Sequence, residues 1–219
     1  MTRHPRREWW LAIALAALAG YVDAIGYLRL NGLFVSFMSG NSTRLAVALA
    51  DGSPLALTAA SLILAFVAGV VVGATAGTAL GRWRRPGVIV LAAVPLAAAA
   101  ALPEFGTLGG LGTVLLALAM GGLNTVFQRD GEVSVGVTYM TGALVKLGQR
   151  LAGALMGEGG RWDWLPYLLL WSGLIAGAFL GAADYAAPDN VALWRATVAA
   201  LGIAMLAAAT TAGERPRLE

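Results

Sequence analysis

Apolar residues fill long, nearly unbroken runs along this chain, and polar residues gather where the runs end. Eight apolar elements result, over approximately 9–28, 33–50, 54–81, 87–102, 108–128, 134–155, 163–184 and 190–211. A helix needs roughly 20 apolar residues to cross a bilayer, so the pattern predicts membrane-embedded helices. The second and sixth elements share a polar phrase, VSFMSGNSTRL at 35–45 and VTYMTGALVKL at 137–147, with Arg44 and Lys146 at the same place in each. The third carries Gly69, Gly73, Gly77 and Gly81, and the seventh Gly173, Gly177 and Gly181. Glycine at every fourth position leaves a smooth face on which another backbone packs closely. The first four elements thus match the last four in order. This predicts two repeats, 9–102 and 108–211, inside a single membrane domain spanning 1–219.

Composition agrees with the pattern. Of 219 residues, 58% are hydrophobic and only 12% charged, with a mean hydropathy of +0.74; a water-soluble domain of this size could not cover its surface with so little charge. The sequence pI of about 9.7 does not point to nucleic acid, because the basic residues cluster at the ends of apolar runs without an aromatic-interleaved stripe. There is no cysteine, and His4 is the single histidine, so thiolate and histidine metal centres are excluded and no cofactor is expected. The N-terminal TRHPRREWW–LAIALAALAG has the outline of a signal peptide. The run continues past Asp23 to Leu28 and has a counterpart later, so it reads as the first transmembrane helix. Trp9, Trp10, Trp83, Trp162, Trp164 and Trp194 sit at run ends, as interfacial anchors do.

Arginine decides how many elements cross. With Arg3, Arg6 and Arg7 in the cytoplasm, eight crossings would put Arg82, Arg84 and Arg85 outside, against the positive-inside rule. If elements two and six dip in and return, these arginines become cytoplasmic together with Arg129, Arg161, Arg215 and Arg217. Asp51, Glu104, Asp184 and Asp189 then fall outside, with Arg29 and Arg195 as exceptions. The expected fold class is an all-α membrane protein with six transmembrane helices and two broken re-entrant elements. Three crossings per repeat is an odd number, so the repeats have inverted topology, and both termini are cytoplasmic.

The candidate chemistry lies in the repeated phrase. LFVSFM and VGVTYM lead into Ser39-Gly40-Asn41 and Thr141-Gly142, which read as chain-breaking, N-capping residues, with a half-helix starting near Gly40 or Gly142. Such a start directs backbone N–H groups and a positive dipole end inward. Arg44 and Lys146 follow within a turn or two, and Ser36, Ser39, Thr43, Thr138, Tyr139 and Thr141 add hydroxyls. Together they suit an anion or a carboxylate, shared between the two copies at the repeat interface. The alternative is that both cations snorkel to a surface or only tie helices together. Asp23, in GYVDAIGY of the first element, is an intramembrane carboxylate whose counterpart in GGLNTVFQ is Asn124. Asp23 could pair with Arg44, carry a proton, help hold Na+, or sit near a helix end within reach of water.

These residues resemble the YoaK-like family of bacterial integral membrane proteins of unknown function (UPF0700, domain of unknown function 1275). Gly20, Asp23, Ala24, Phe34, Met38, Ser39, Gly40 and Asn41 match its first-helix and F-x-x-x-M-[ST]-G-N phrases, and Thr138, Tyr139, Met140, Thr141 and Gly142 its T-Y-M-T-G phrase. The resemblance covers nearly the whole chain. It implies a multi-pass protein of the bacterial inner membrane and carries no established activity. The functional expectation is a small-solute secondary transporter or channel-like permease, with H+ or Na+ as candidate coupling ions and a homodimer as an open arrangement. The alternatives are a membrane scaffold or assembly protein without a transported ligand, and a membrane enzyme. No nucleophile–base pair or metal cluster is in view for the last, so the chain is not expected to be an enzyme.

Overall fold

Leu- and Ala-rich runs are strong helix formers, and the described chain is built from them. The computed structural model describes residues 6–102, 110–129, 132–133, 136–186 and 190–213; Arg3, His4, Glu104, Asp189, Arg215 and Arg217 lie outside these. Eight α-helices occur among the described residues: α1 (Arg6–Arg29), α2 (Met38–Ala50), α3 (Leu55–Leu80), α4 (Arg84–Ala101), α5 (Leu111–Leu123), α6 (Met140–Leu155), α7 (Leu165–Asp184) and α8 (Val191–Ala212). A short 3-10 turn, Gly81–Trp83, joins α3 to α4, and a two-residue antiparallel ladder pairs Gln128 with Val133 and Arg129 with Glu132.

Four stretches are long and apolar enough to cross a membrane: Trp9–Arg29, Leu55–Ala101, Leu165–Asp184 and Val191–Ala212. The second contains both α3 and α4. They fold back on each other at Gly81, whose φ of +52° suits glycine. Leu111–Leu123 is a shorter apolar helix. Large apolar side chains cover the outside: Leu57, Leu64, Phe179, Met205 and Leu206 are each more than two-thirds exposed. Such a surface is unfavourable against water and suits lipid. The chain is an all-α membrane protein in contact with the bilayer.

Glycine contacts reveal how the helices run. Gly173, Gly177 and Gly181 of α7 lie against Ile13, Ala17 and Tyr21 of α1, and Gly20 lies against Leu174. Both residue numbers rise together, so α1 and α7 are parallel. Gly69 and Gly73 of α3 lie against Leu118 and Gly122 of α5, and Gly121 lies against Phe66, so α3 and α5 are parallel too. At most of these points a Cβ would strike the neighbour's backbone. Small residues let main chains approach where the hydrophobic effect does not hold helices together. Between them sits a core that includes Leu15, Val22, Leu62, Ile89, Met120 and Leu193.

Polar contacts define the two ends of the bundle. At one end Asn190, preceding α8, donates to the carbonyls of Ala100 (3.3 Å) in the last turn of α4 and Leu102 (2.9 Å) just beyond it, and accepts from Arg29 of α1 at 2.9 Å. At the other end Arg84 donates to Gln128 at 2.5 Å. Helices α1, α4 and α7 therefore run towards the Asn190 end, and α3, α5 and α8 towards the Arg84 end. Segment 30–54 leaves and returns at the Asn190 end, and segment 124–164 leaves and returns at the Arg84 end.

The structure corrects one local expectation. Helices α2 and α6 begin at Met38 and Met140, two residues before Gly40 and Gly142, and neither start has a side-chain cap. Ser39, Gly40, Asn41, Thr141 and Gly142 lie inside the first helical turn. The break comes earlier: Asn31 (φ +51°) and Gly32 (φ +84°) end α1 in left-handed conformations.

Candidate functional site

The chain after α1 does not leave the bundle. It turns at Asn31–Gly32 and runs back along α1, so that Val35 presses on Gly26, where an added Cβ would come within 2.9 Å of Val35 Cγ1. Asp23 ends this return. Its Oδ1 accepts from the backbone N–H of Val35 (2.9 Å) and of Ser36 (2.8 Å), and its Oδ2 accepts from the Ser36 hydroxyl. Ser36 is buried. Asp23 lies six residues, about 9 Å, before the end of α1, so the non-helical segment reaches well below that end. Non-helical backbone at membrane depth requires partners in the protein, and the carboxylate supplies them.

Asn41 provides a second tie. Fully buried, it accepts from Phe34 N at 2.9 Å and donates to Phe34 O at 2.6 Å, so one side chain satisfies both main-chain groups of a non-helical residue. Phe34 packs against Tyr27 and edge-on against Phe37. Arg44 makes a third tie, donating from Nη1 to Asn31 O at 3.1 Å, with its guanidinium over Gly32. Arg44 thus pairs with the turn and not with Asp23. Ser39 and Thr43 are exposed, the Thr43 hydroxyl donating to Ser39 O at 3.3 Å; Gly40 is half-buried.

The corresponding segment before α6 is held differently. Asn124, just past α5 and buried, accepts from the Thr138 hydroxyl at 3.0 Å and donates from Nδ2 to Met120 O at 2.9 Å. Thr138 is buried, whereas Tyr139 is exposed and folds over Gly136. Thr141, Gly142 and Lys146 are exposed, and Lys146 has no partner among the described residues. Position 143, which corresponds to Asn41, is a buried alanine.

The structure therefore brings together Asp23, Ser36 and Asn41 in one cluster and Asn124 with Thr138 in another. The clusters belong to segments that enter from opposite ends of the bundle, with α2 packed on α3 and α6 on α7. Two polar groupings escaped the sequence reading. The Tyr21 hydroxyl donates to Asp184 at 2.7 Å, and Asp184 pairs with Arg195 at 2.6 Å. Arg29, besides holding Asn190, lies 5.8 Å from the Tyr185 ring. The available signal was the status of Arg29 and Arg195 as exceptions to the charge bias. A small, partly open crevice between α3, α4 and α5 is lined by Gly69, Gly73, Val88, Ala92, Pro95 and Leu118 among others; its mostly apolar lining gives a polar solute little to bind. Among the described residues no group of three His, Cys, Asp or Glu side chains could hold a metal.

The profile of a family described as "Protein of unknown function (DUF1275)" matches residues 11–206. A UPF0700 transmembrane protein of Rhizobium meliloti (strain 1021) is 37% identical over 191 residues, covering 87% of this chain and 82% of the relative. No solved structure matches.

Proposed function

The chain belongs to the DUF1275 family of transmembrane proteins, and from that premise we propose that it is a small-solute transporter or channel-like permease. One observation carries the reading: two short helices, α2 and α6, lie in the connections from α1 to α3 and from α5 to α7, each of which leaves and returns at one end of the bundle, and the two ends are opposite. Around them α1, α3 and α4 run up, down, up, while α5, α7 and α8 run down, up, down. The contacts follow the same exchange. Ala17 with Gly177 corresponds to Leu118 with Gly69, and Gly20 with Leu174 to Gly121 with Phe66. These relations support six crossings arranged as inverted repeats, the plan of many secondary transporters. The Arg84 end carries Arg82, Arg84, Arg85, Arg129 and Arg161, which favours it as the cytoplasmic face of the inner membrane, with both termini on that side. The solute class is anionic or carboxylate-bearing. H+ or Na+ remains the coupling ion to test.

Flux into proteoliposomes tests this directly. Purified protein is assayed against a panel of small carboxylates and inorganic anions, with and without pH and Na+ gradients. Protein-dependent flux that falls at least tenfold in Lys146→Ala supports the reading; no flux from well-folded protein across the panel refutes it. A second reading rests on α6, which exposes Gly142, Lys146, Gln149 and Arg150. Polar groups facing lipid are unfavourable, and a second copy of the chain or a scaffolded partner covering that face would relieve this.

A further inference from the structure

The two segments fold alike yet receive different partners. Met38 N bonds Ser36 O at 3.2 Å, and Met140 N bonds Thr138 O at 2.9 Å; Asn41 N bonds Phe37 O at 3.3 Å, and Ala143 N bonds Tyr139 O at 3.1 Å. The residues before the helices agree as well, Phe37 at φ −91°, ψ 77° and Tyr139 at φ −83°, ψ 56°. In the first segment the adjacent N–H groups of Val35 and Ser36 both donate to Asp23 Oδ1, while the Ser36 hydroxyl takes Oδ2. A two-oxygen anion thus bridges two amides and a hydroxyl. In the second segment the same amides belong to Val137 and Thr138, which are 0% and 7% exposed. Neither amide has an acceptor among the described residues. Asn124 stands where the carboxylate would be, and its Oδ1 accepts from the Thr138 hydroxyl instead. Adjacent buried N–H groups without acceptors are uncommon in folded proteins.

We propose that the Val137 and Thr138 amides, with the Thr138 hydroxyl turned away from Asn124 Oδ1, form a binding site for the carboxylate of a small solute, received as the other half receives the carboxylate of Asp23. This deepens the transport reading and rests on it for the solute's identity as cargo. The asymmetry gives the site its logic. One half is closed permanently by a tethered carboxylate. The other has Asn124 in place of an aspartate, carries no such charge and admits an external one. The positive N-terminal end of α6 adds to the attraction.

The test uses full-length protein in neutral detergent, titrated with acetate at constant ionic strength against chloride. Selective ¹⁵N-valine labelling reports on Val137, assigned by its loss in Val137→Ile. Acetate should move the Val137 amide proton downfield in a saturable manner and raise the melting temperature by mass action, with chloride doing neither. Asn124→Asp supplies a tethered carboxylate and should abolish the acetate response; it should also move the Val137 amide downfield without acetate. Acetate acting no better than chloride overturns the proposal, as does a full acetate response in Asn124→Asp. If Asn124→Asp fails to fold, Thr138→Val serves instead, with at least a tenfold weaker acetate response expected and an unchanged one overturning the site. A response to phosphatidylglycerol alone overturns the solute assignment in favour of a lipid headgroup. Binding needs no flux, so the two readings separate: acetate binding without transport of any solute defeats the transport reading and leaves the site, and transport without a Val137 response does the reverse.

Discussion

Gly177→Ala isolates one close contact between α1 and α7. The added Cβ would meet the carbonyl of Ala17, lying 2.6 Å from its carbon and 2.8 Å from the Ala17 Cα. Backbone cannot rotate away as a side chain can, so α1 and α7 must separate. Overpacking costs about 1–3 kcal/mol, and the upper value applies against main chain. Alanine returns about 0.5–1 kcal/mol of helix propensity, leaving a net loss of about 2 kcal/mol, or roughly 30-fold in the folding equilibrium. Gly202→Ala is the control: it lies in α8, and a Cβ added there would have no neighbouring atom within 4 Å, so only the propensity gain remains and the sign should reverse. Reversible unfolding in mixed dodecylmaltoside–SDS micelles measures both. A Gly177→Ala protein as stable as Gly202→Ala would refute the close parallel crossing of α1 and α7.

Asp23→Ala leaves the Val35 and Ser36 amides without an acceptor and should destabilise by about 3–5 kcal/mol, read as loss of melting temperature and faster hydrogen exchange at both residues. Asn41→Ala removes two bonds to the Phe34 backbone and should cost about 1–3 kcal/mol; a change under about 0.5 kcal/mol would refute its role as a tie. The natural chain has no cysteine, so single cysteines report sidedness cleanly. Asp51→Cys, between α2 and α3, should react with an impermeant maleimide on intact spheroplasts, and Glu158→Cys, between α6 and α7, only after permeabilisation. Labelling of both from outside would refute the return of the two segments to opposite faces.

Much of the architecture was legible because helix length, apolar character and glycine spacing are local properties. The glycines of α3 and α7 could be read as close-packing faces, and Gly69, Gly73, Gly173, Gly177 and Gly181 do meet neighbouring backbone, whereas Gly77 meets the Arg84 side chain and Gly81 has no neighbour within 4 Å. Which neighbour they meet was not written locally: α7 pairs with α1 and α3 with α5, contacts between residues far apart in sequence. The site was less legible for a specific reason. Pairing with Arg44 was one of the roles open to Asp23, because opposite charges attract. The carboxylate is instead satisfied by backbone N–H groups, which every residue but proline carries and no sequence pattern advertises. Asn41, beside Ser39 and Gly40, looked like capping chemistry. Its amide instead reaches back to Phe34, which is visible only once the chain has turned at Asn31.

The differences between the halves all point one way. The first segment has three ties: Asp23 to Val35 and Ser36, Asn41 to Phe34, and Arg44 to Asn31. In the second, asparagine replaces the carboxylate, Ala143 replaces the clamping asparagine, and Lys146 has no partner among the described residues. Among the described residues 136–155, the bond between Thr138 and Asn124 is the one side-chain hydrogen bond to the rest of the bundle. A solute changes a structure only through differential interaction with its states, and the least-tied segment yields at the lowest cost. A transport cycle built on this fold would therefore move the 136–155 segment against a fixed 30–50 segment. The bound carboxylate would supply to Val137 and Thr138 the contacts that Asp23 supplies permanently on the other side.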